Sequence, residues 1–272
     1  MKLTARQLET YHRDGYLILP ELFTPSEVAG MKAELTRIQD INTDHLVRER
    51  TGGIAKTIYR VHDARSPTAS HLFQAAVRAP RLLDPARQLL KDDALYIHHT
   101  KCNLKTAIDG SVWQWHQDYG TWKLDGIPEA RLTTALIMLD EPTQANGCLY
   151  FIPGSHKEGN LDPIFDEATA YKFWVVPKPQ LLEIMRRSPE PIPIVGRPGT
   201  VVFFDANILH SSGHNLSQND RWQVYVVYNP VLNQAQIVPQ PRPGYVRCAD
   251  FAPLVAGNDA ILGSCRATEA TA

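Results

Sequence analysis

The chain has 272 residues, 43% of them hydrophobic, with a formal net charge of −1 and a pI near 6.8. That length suits one all-β barrel or sandwich domain, and the apolar share excludes wholesale disorder. Near-neutral charge gives no electrostatic footprint for nucleic acid or an anionic membrane.

The start, "MKLTARQLETYHRDG", is polar and helical and has no apolar signal core. Thr4 followed by Gln7 fits a capping box, Gly15 stops the helix, and "YLILP" reads as a strand. A second helix is expected over "TPSEVAGMKAELTRIQD", with Thr24 as N-cap, Pro25 in the first turn and Glu27 closing the box. Val28, Met31, Leu35 and Ile38 then share one face. A third helical region covers about 68 to 91 and is interrupted by Pro80 and Pro85.

After residue 92 the texture changes to short β-like runs bounded by Gly, Pro, Asn and Asp: "DALYIHHTKCNLK", "LTTALIMLD", "GCLYFIP", "GTVVFFD" and "RWQVYVVYNP". Helices first and strands after predict an α+β chain with a mainly β core, an antiparallel sandwich or barrel with helices packed outside. We expect a single domain over 1–272: a helical support region at 1–92, a β core at 93–238 with an insertion or lid at about 160–192, and a C-terminal tail at 239–272. The four cysteines, at 102, 148, 248 and 265, form no CxxC pair and suggest neither a disulfide framework nor a structural zinc site. No apolar run approaches the length of a membrane span, so a cytoplasmic protein is expected. Without a heptad pattern, monomer and homodimer both stay open.

The chemistry concentrates in "VWQWHQDYGTW", residues 112 to 122. In an extended strand, residues two apart face the same side, so His116 and Asp118 point together and Trp113 and Trp115 point away. An imidazole and a carboxylate so placed can take two adjacent positions on a metal. One more histidine would complete the 2-His-1-carboxylate triad of non-haem Fe(II) oxygenases. His210, just past "GTVVFFDANIL", is one candidate for it, and His214 and His156 are rivals. Arg221 opens an apolar strand, where a buried guanidinium needs a carboxylate or phosphate. The order matters more than any member: His-x-Asp, a strand-rich span of about 90 residues, His, then Arg eleven positions later.

These residues, with "NLK…WHQDYGTW…DGIP", "LDEPTQANGCLYFIPGSHK" and "FFDANILHSSGHN…R", resemble the phytanoyl-CoA dioxygenase superfamily of Fe(II)/2-oxoglutarate oxygenases. Within it, the likeness is closest to ectoine hydroxylases and bacterial trans-proline 4-hydroxylases. The resemblance implies a double-stranded β-helix core. It implies His116, Asp118 and His210 as iron ligands, and Arg221 as the clamp on the far carboxylate of 2-oxoglutarate, helped by Ser212. Asn103 and Lys101 fall near the co-substrate, and Trp122, Thr121 and His99 at the substrate end. O₂ is the other co-substrate, and succinate and CO₂ are the by-products. A carboxylate at 118, where related halogenases carry a small residue, argues for hydroxylation or another oxidation.

Two departures lie at the substrate end. His99 stands where those hydroxylases carry Gln, and the chain is one residue shorter between Trp122 and "DGIP". Protonated, His99 could meet a substrate carboxylate; otherwise it is a packed core histidine. The expected substrate is a free amino acid or a small cyclic amino-acid-like metabolite. A natural-product intermediate is the alternative, and a non-catalytic β-barrel binding protein is a third reading.

Overall fold

The structure is a computed structural model that describes residues 1–48, 53, 55–110, 112–167, 173–248 and 250–262. The elements begin with α1 (Ala5–Asp14), β1 (Tyr16–Leu19), α2 (Pro25–Ile38), β2 (Leu46–Arg48), β3 (Ala55–Tyr59), α3 (His71–Ala76) and α4 (Pro80–Leu90). Next come β4 (Leu95–Lys105), β5 (Trp113–His116), α5 (Asp118–Trp122), β6 (Thr133–Met138) and β7 (Leu149–Phe151). The remainder is β8 (Ile164–Asp166), β9 (Phe173–Val175), α6 (Lys178–Arg187), β10 (Ile192–Ile194), β11 (Val201–Asp205), β12 (His210–Ser212) and β13 (Arg221–Pro230).

Both expected capping boxes form. Thr4 and Thr24 accept from the backbone N–H groups of Gln7 and Glu27, and those side chains return the bond. These satisfy N–H groups that a helix start otherwise leaves orphaned. Pro80 begins α4, but Pro85 lies inside it without ending it. The apolar stripe of Leu82, Leu83, Ala86, Leu89 and Leu90 is buried against the core and outweighs one missing N–H.

Seven strands form an antiparallel sheet in the order β1-β11-β6-β13-β4-β3-β2, and four form a second in the order β10-β7-β12-β5. Alternation divides the core. On β6, Ala135 and Ile137 join the cluster that holds the helices, while Leu136 and Met138 join Leu149, Phe151 and Ile194 of the small sheet. Strand β11 splits the same way, with Val201 and Phe203 on one side and Val202 and Phe204 on the other. The large sheet therefore has helices on one face and the small sheet on the other, which explains its continuous apolar runs.

The first 92 residues are more than helical support. β1 pairs with β11, β2 with β3, and β3 with β4, so this region supplies three strands of the large sheet. β2 escapes a sequence reading because "HLVRER" carries more charged than apolar residues, and β3 because "AKTIYR" shows no clean alternation of apolar and polar positions. Within 160–192, β8 and β9 form a separate hairpin, with α6 after it. Cys102, Cys148 and Cys248 are free thiols; Cys265 lies outside the described residues. No helix among the described residues is long and apolar enough to cross a membrane.

The Pro198-Gly199 turn that launches β11 depends on its glycine. Gly199 has φ +89°, and a Cβ there would sit 2.1 Å from the Phe23 carbonyl oxygen. Gly199→Ala is expected to cost about 1–3 kcal/mol or more. Urea denaturation should show a lower midpoint with an unchanged slope.

Candidate metal centre and pocket

β12 pairs with β5 so that His210 faces His116 directly. The extended stretch ends there: Gln117 is extended and Asp118 is the first residue of α5, not a strand residue two along. The carboxylate still arrives at the same place. Asp118 Oδ1 lies 3.7 Å from His116 Nε2 and 3.8 Å from His210 Nε2. Ligands about 2.0–2.2 Å from a first-row ion, at angles between a right angle and a tetrahedral one, stand roughly 3–3.5 Å apart. The three donors are thus slightly splayed around a position that one ion would fill.

The histidine tautomers suit that role. His116 Nδ1 donates to the Gln114 carbonyl at 2.6 Å and His210 Nδ1 to the Ile208 carbonyl at 3.0 Å. Each ring proton is thereby held on Nδ1, and Nε2 is left as a lone-pair donor. Burial, then the neighbouring His210, holds His116 well below the usual imidazole value, so it is neutral. His156 and His214 are elsewhere. His156 Nε2 meets the His12 carbonyl, and His214 Nδ1 the Gly110 carbonyl.

The alternation that set both tryptophans opposite His116 fails for one of them. Ser212 pairs with Trp113 while His210 pairs with His116, so three steps on β5 oppose two on β12. This bulge turns Trp113 to the same side as His116, where both line one cavity and both touch Phe173. Trp115 does pack away, half-buried against Ile152 and Val176.

The cavity holds about 250 Å³. His116, Asp118, His210, Lys101 and Asn103 line it, as do His99, Thr121 and Trp122. Phe165 of β8 and Phe173 and Trp174 of β9 line it too, so the 160–192 stretch contributes to its wall. Thr121 and Trp122 fall on α5, and the Trp122 ring stands 5.6 Å from His99.

Lys101, Asn103 and Tyr225 line the cavity, and Gln223, Arg221 and Lys105 continue the same face of β4 and β13 beyond its lining. β13 pairs Arg221 with Lys105, Gln223 with Asn103 and Tyr225 with Lys101 on β4. Cys102, Leu104, Trp222 and Val224 point from the same strands into the helix-side core, so the charged set projects inward. Arg221 is fully buried. Its Nη1 donates to Gln223 Oε1, while Nε and Nη2 have no partner. Lys105 Nζ donates to Ser212 Oγ at 3.0 Å, which links Ser212 to this face. Lys101 Nζ sits 3.6 Å over the Trp113 ring. Lys105 was not singled out in the sequence, although the K-x-N-x-K alternation of "KCNLK" puts it on the face of Lys101 and Asn103.

Two histidines and a carboxylate facing one point are the donor set of non-haem iron oxygenases. The profile of the phytanoyl-CoA dioxygenase (PhyH) family matches residues 11–222. The chain belongs to this family and is a 2-oxoglutarate-dependent, non-haem iron dioxygenase. It is 32% identical over 258 residues to the ectoine dioxygenase of Bordetella parapertussis, covering 90% of this chain and 82% of that one. The crystal structure of EctD from S. alaskensis with bound Fe superposes with a TM-score of 0.81 at 30% identity, covering 95% of this chain and 89% of that one. The same enzyme with 2-oxoglutarate and 5-hydroxyectoine gives 0.78 at 30% identity, covering 93% and 86%.

His116→Ala, Asp118→Ala and His210→Ala are each expected to abolish turnover. Fe(II) affinity, titrated anaerobically, should fall by more than the roughly 10–100-fold that outer-shell partners command.

Proposed function

We propose that the chain hydroxylates a free amino acid or a small cyclic amino-acid-like metabolite, proline-like or ectoine-like, with release of succinate and CO₂. The observation that carries this reading is the convergence of His116, Asp118 and His210 in one cavity with Lys101 and Asn103, on a strand whose partner carries the half-partnered Arg221. His116, Asp118 and His210 hold Fe(II). Arg221, with Ser212, takes the far carboxylate of 2-oxoglutarate, where a planar fork suits a carboxylate better than an ammonium would. Asn103 and Lys101 flank the co-substrate, and Trp122, Thr121 and His99 face the substrate. Iron, when bound, supplies activation of O₂ with the electrons released as 2-oxoglutarate is decarboxylated. The protein binds and orients both organic partners, and the aromatic hairpin side chains exclude water.

The fold that presents these groups is read as a double-stranded β-helix in a single oxygenase domain, cytoplasmic, and monomeric or homodimeric. A cavity of about 250 Å³ suits a small guest better than a bulky natural-product intermediate. A pure binding module would have no use for a triad whose tautomers are both set for a metal.

Anaerobic addition of Fe(II) and 2-oxoglutarate should give a weak visible charge-transfer band that Asp118→Ala loses; its absence from the wild type would sink the assignment. Arg221→Ala should raise the 2-oxoglutarate requirement about a hundredfold in steady-state assays, and Arg221→Lys should recover only part.

Lys105 gives a pH dependence. Burial, then Arg221 beside it, pushes its ammonium down from the ordinary 10.5 to about 6. A docked carboxylate restores that charge, so binding above pH 6 takes up a proton and weakens as pH rises further. Without ligand the sign is opposite. Between about pH 6 and 10.5 the unfolded chain holds the proton that the folded one has lost, so folded stability rises with pH. Calorimetry of 2-oxoglutarate binding at pH 8 in phosphate and in Tris should differ by the ionisation heat of up to one proton, and Lys105→Met should remove the difference.

A further inference from the structure

The "DGIP" turn anchors the C-terminal segment as a strap. Asp125 is fully buried, and its carboxylate accepts from Arg242 Nε at 2.8 Å, from Nη2 at 2.5 Å and from the Arg242 backbone N–H at 3.1 Å. The next residue, Gly126, has φ +93°, and a Cβ there would lie 2.2 Å from the Gln236 carbonyl oxygen. Gln236 N–H donates to the Gly126 carbonyl at 2.9 Å. Farther on, Leu254 N–H donates to the Leu95 carbonyl at 2.7 Å, and the Phe251 ring meets Tyr96 edge-on at 5.2 Å. Pinned at both ends, the strap encloses a second cavity of about 190 Å³. This cavity shares no lining residue with that of the triad: Arg242 lines one, and its partner Asp125 lines the other.

One wall of the second cavity is His98. The β13 ladder skips it: Val227 pairs with His99 and Tyr228 with Ile97, so His98 is the extra residue of a bulge on β4. Ile97 joins the helix-side core, and the bulge leaves His98 beside His99, with the two rings stacked 5.4 Å apart. His98 is buried, and neither ring nitrogen has a hydrogen bond among the described residues. Nε2 is enclosed, so Nδ1 is the nitrogen that a guest can reach. Burial, then Arg242 and Arg247 nearby, pushes the ring down to about 3, so it is neutral with one N–H to give. Arg247 lines the same cavity. Its Nε donates to the Arg242 carbonyl at 2.6 Å, and its Nη1 and Nη2 make no hydrogen bond among the described residues. Ile237, Val238, Pro241 and Phe251 supply apolar walls.

We propose that the strap cavity is a second binding site, for a small monocarboxylate with an apolar tail, held by the Arg247 fork and by His98 Nδ1–H. An anion draws the single imidazole proton to the nitrogen that faces it. A planar guanidinium with two free nitrogens suits a carboxylate. Asp125 is already answered by three donors of Arg242, so the two arginines and one acid leave one positive charge for the guest. The apolar walls take the tail, which an inorganic anion lacks. His98 also meets Trp122 edge-on at 5.2 Å, so an occupant bears from behind on two side chains of the triad's cavity, His99 and Trp122. The site goes beyond the oxygenase reading and needs neither iron nor 2-oxoglutarate.

Cys248 lines this cavity and is half-buried, whereas Cys102 and Cys148 are buried, so its thiol reports on the site. In a Cys265→Ser background, alkylation of Cys248 by N-ethylmaleimide is followed by peptide mass spectrometry. The probes are isobutyrate and isobutyramide, each with and without Fe(II) and 2-oxoglutarate under anaerobic conditions. At about ten times its half-protection concentration, isobutyrate should slow alkylation about tenfold. The amide should give no protection at that concentration. Arg247→Gln should raise the half-protection concentration by about 10- to 150-fold, as for hydrogen bonds to a charged group, and His98→Phe by about 2- to 10-fold, as for a neutral one. The Fe(II)·2-oxoglutarate band should stay unchanged in Arg247→Gln. Calorimetric titration of isobutyrate, which needs no reactive thiol, should give the same constant. No binding of isobutyrate by calorimetry, or equal protection by the amide, overturns the inference without any variant. So does protection that Arg247→Gln leaves unchanged, or that 2-oxoglutarate abolishes, since the probe would then act from the triad's cavity. A wild type that forms no band overturns the oxygenase reading, and the protection of Cys248 decides the strap site separately.

Discussion

Arg221 is buried at the head of β13 with two guanidinium nitrogens unanswered, and Lys105 lies across the ladder from it. Burying a charge without a partner costs several kcal/mol, and a second cation alongside adds repulsion. The strand pairing leaves no local remedy. Seven consecutive register pairs, and three more past a bulge at His98, fix β13 against β4, so neither residue can leave without breaking the central ladder of the large sheet. The arrangement becomes favourable when a dicarboxylate enters, because the same low dielectric that penalises the lone cation strengthens its pair. Lys105, whose ammonium is pushed down to about 6 by burial and then by Arg221, feels the same dry surroundings. The ladder thus holds a buried guanidinium whose spare donors suit an anion.

The two sheets divide the work. The large one, anchored by helices on its outer face, presents the cations. The small one presents His116 and His210 on paired strands, and α5 delivers Asp118 across its open end. Each half of the site is thus rigid within its own sheet, and the cavity is the seam between them. The bulge on β5 belongs to this arrangement. By turning Trp113 inward, it places an aromatic face beneath Lys101, whose charge the indole partly offsets.

What the sequence revealed follows the range of the interactions involved. Capping boxes at Thr4 and Thr24 and the apolar stripe of α2 are local, and they were legible from spacing alone. The triad and Arg221 were legible as an ordered constellation matched to a known family, not from any single residue. Three features were hidden. Trp113 was misplaced because a bulge depends on what the partner strand does. β2 and β3 were missed because neither shows a clear alternation of apolar and polar positions. Arg242 was invisible because its importance arises from a contact with Asp125, 117 residues away. Lys105 was readable in principle, since period-two alternation from Lys101 leads straight to it.

The pocket also divides by origin along the chain. The triad, Lys101, Asn103 and His99 come from the span that matches the family profile, whereas Arg242 comes from a strap beyond that span. The strap is held by a buried ion pair, a positive-φ glycine and backbone bonds, none of which touches the metal ligands. A change in the strap can therefore reshape the cavity wall at Arg242 while the strand pairing that sets His116 opposite His210 stays intact.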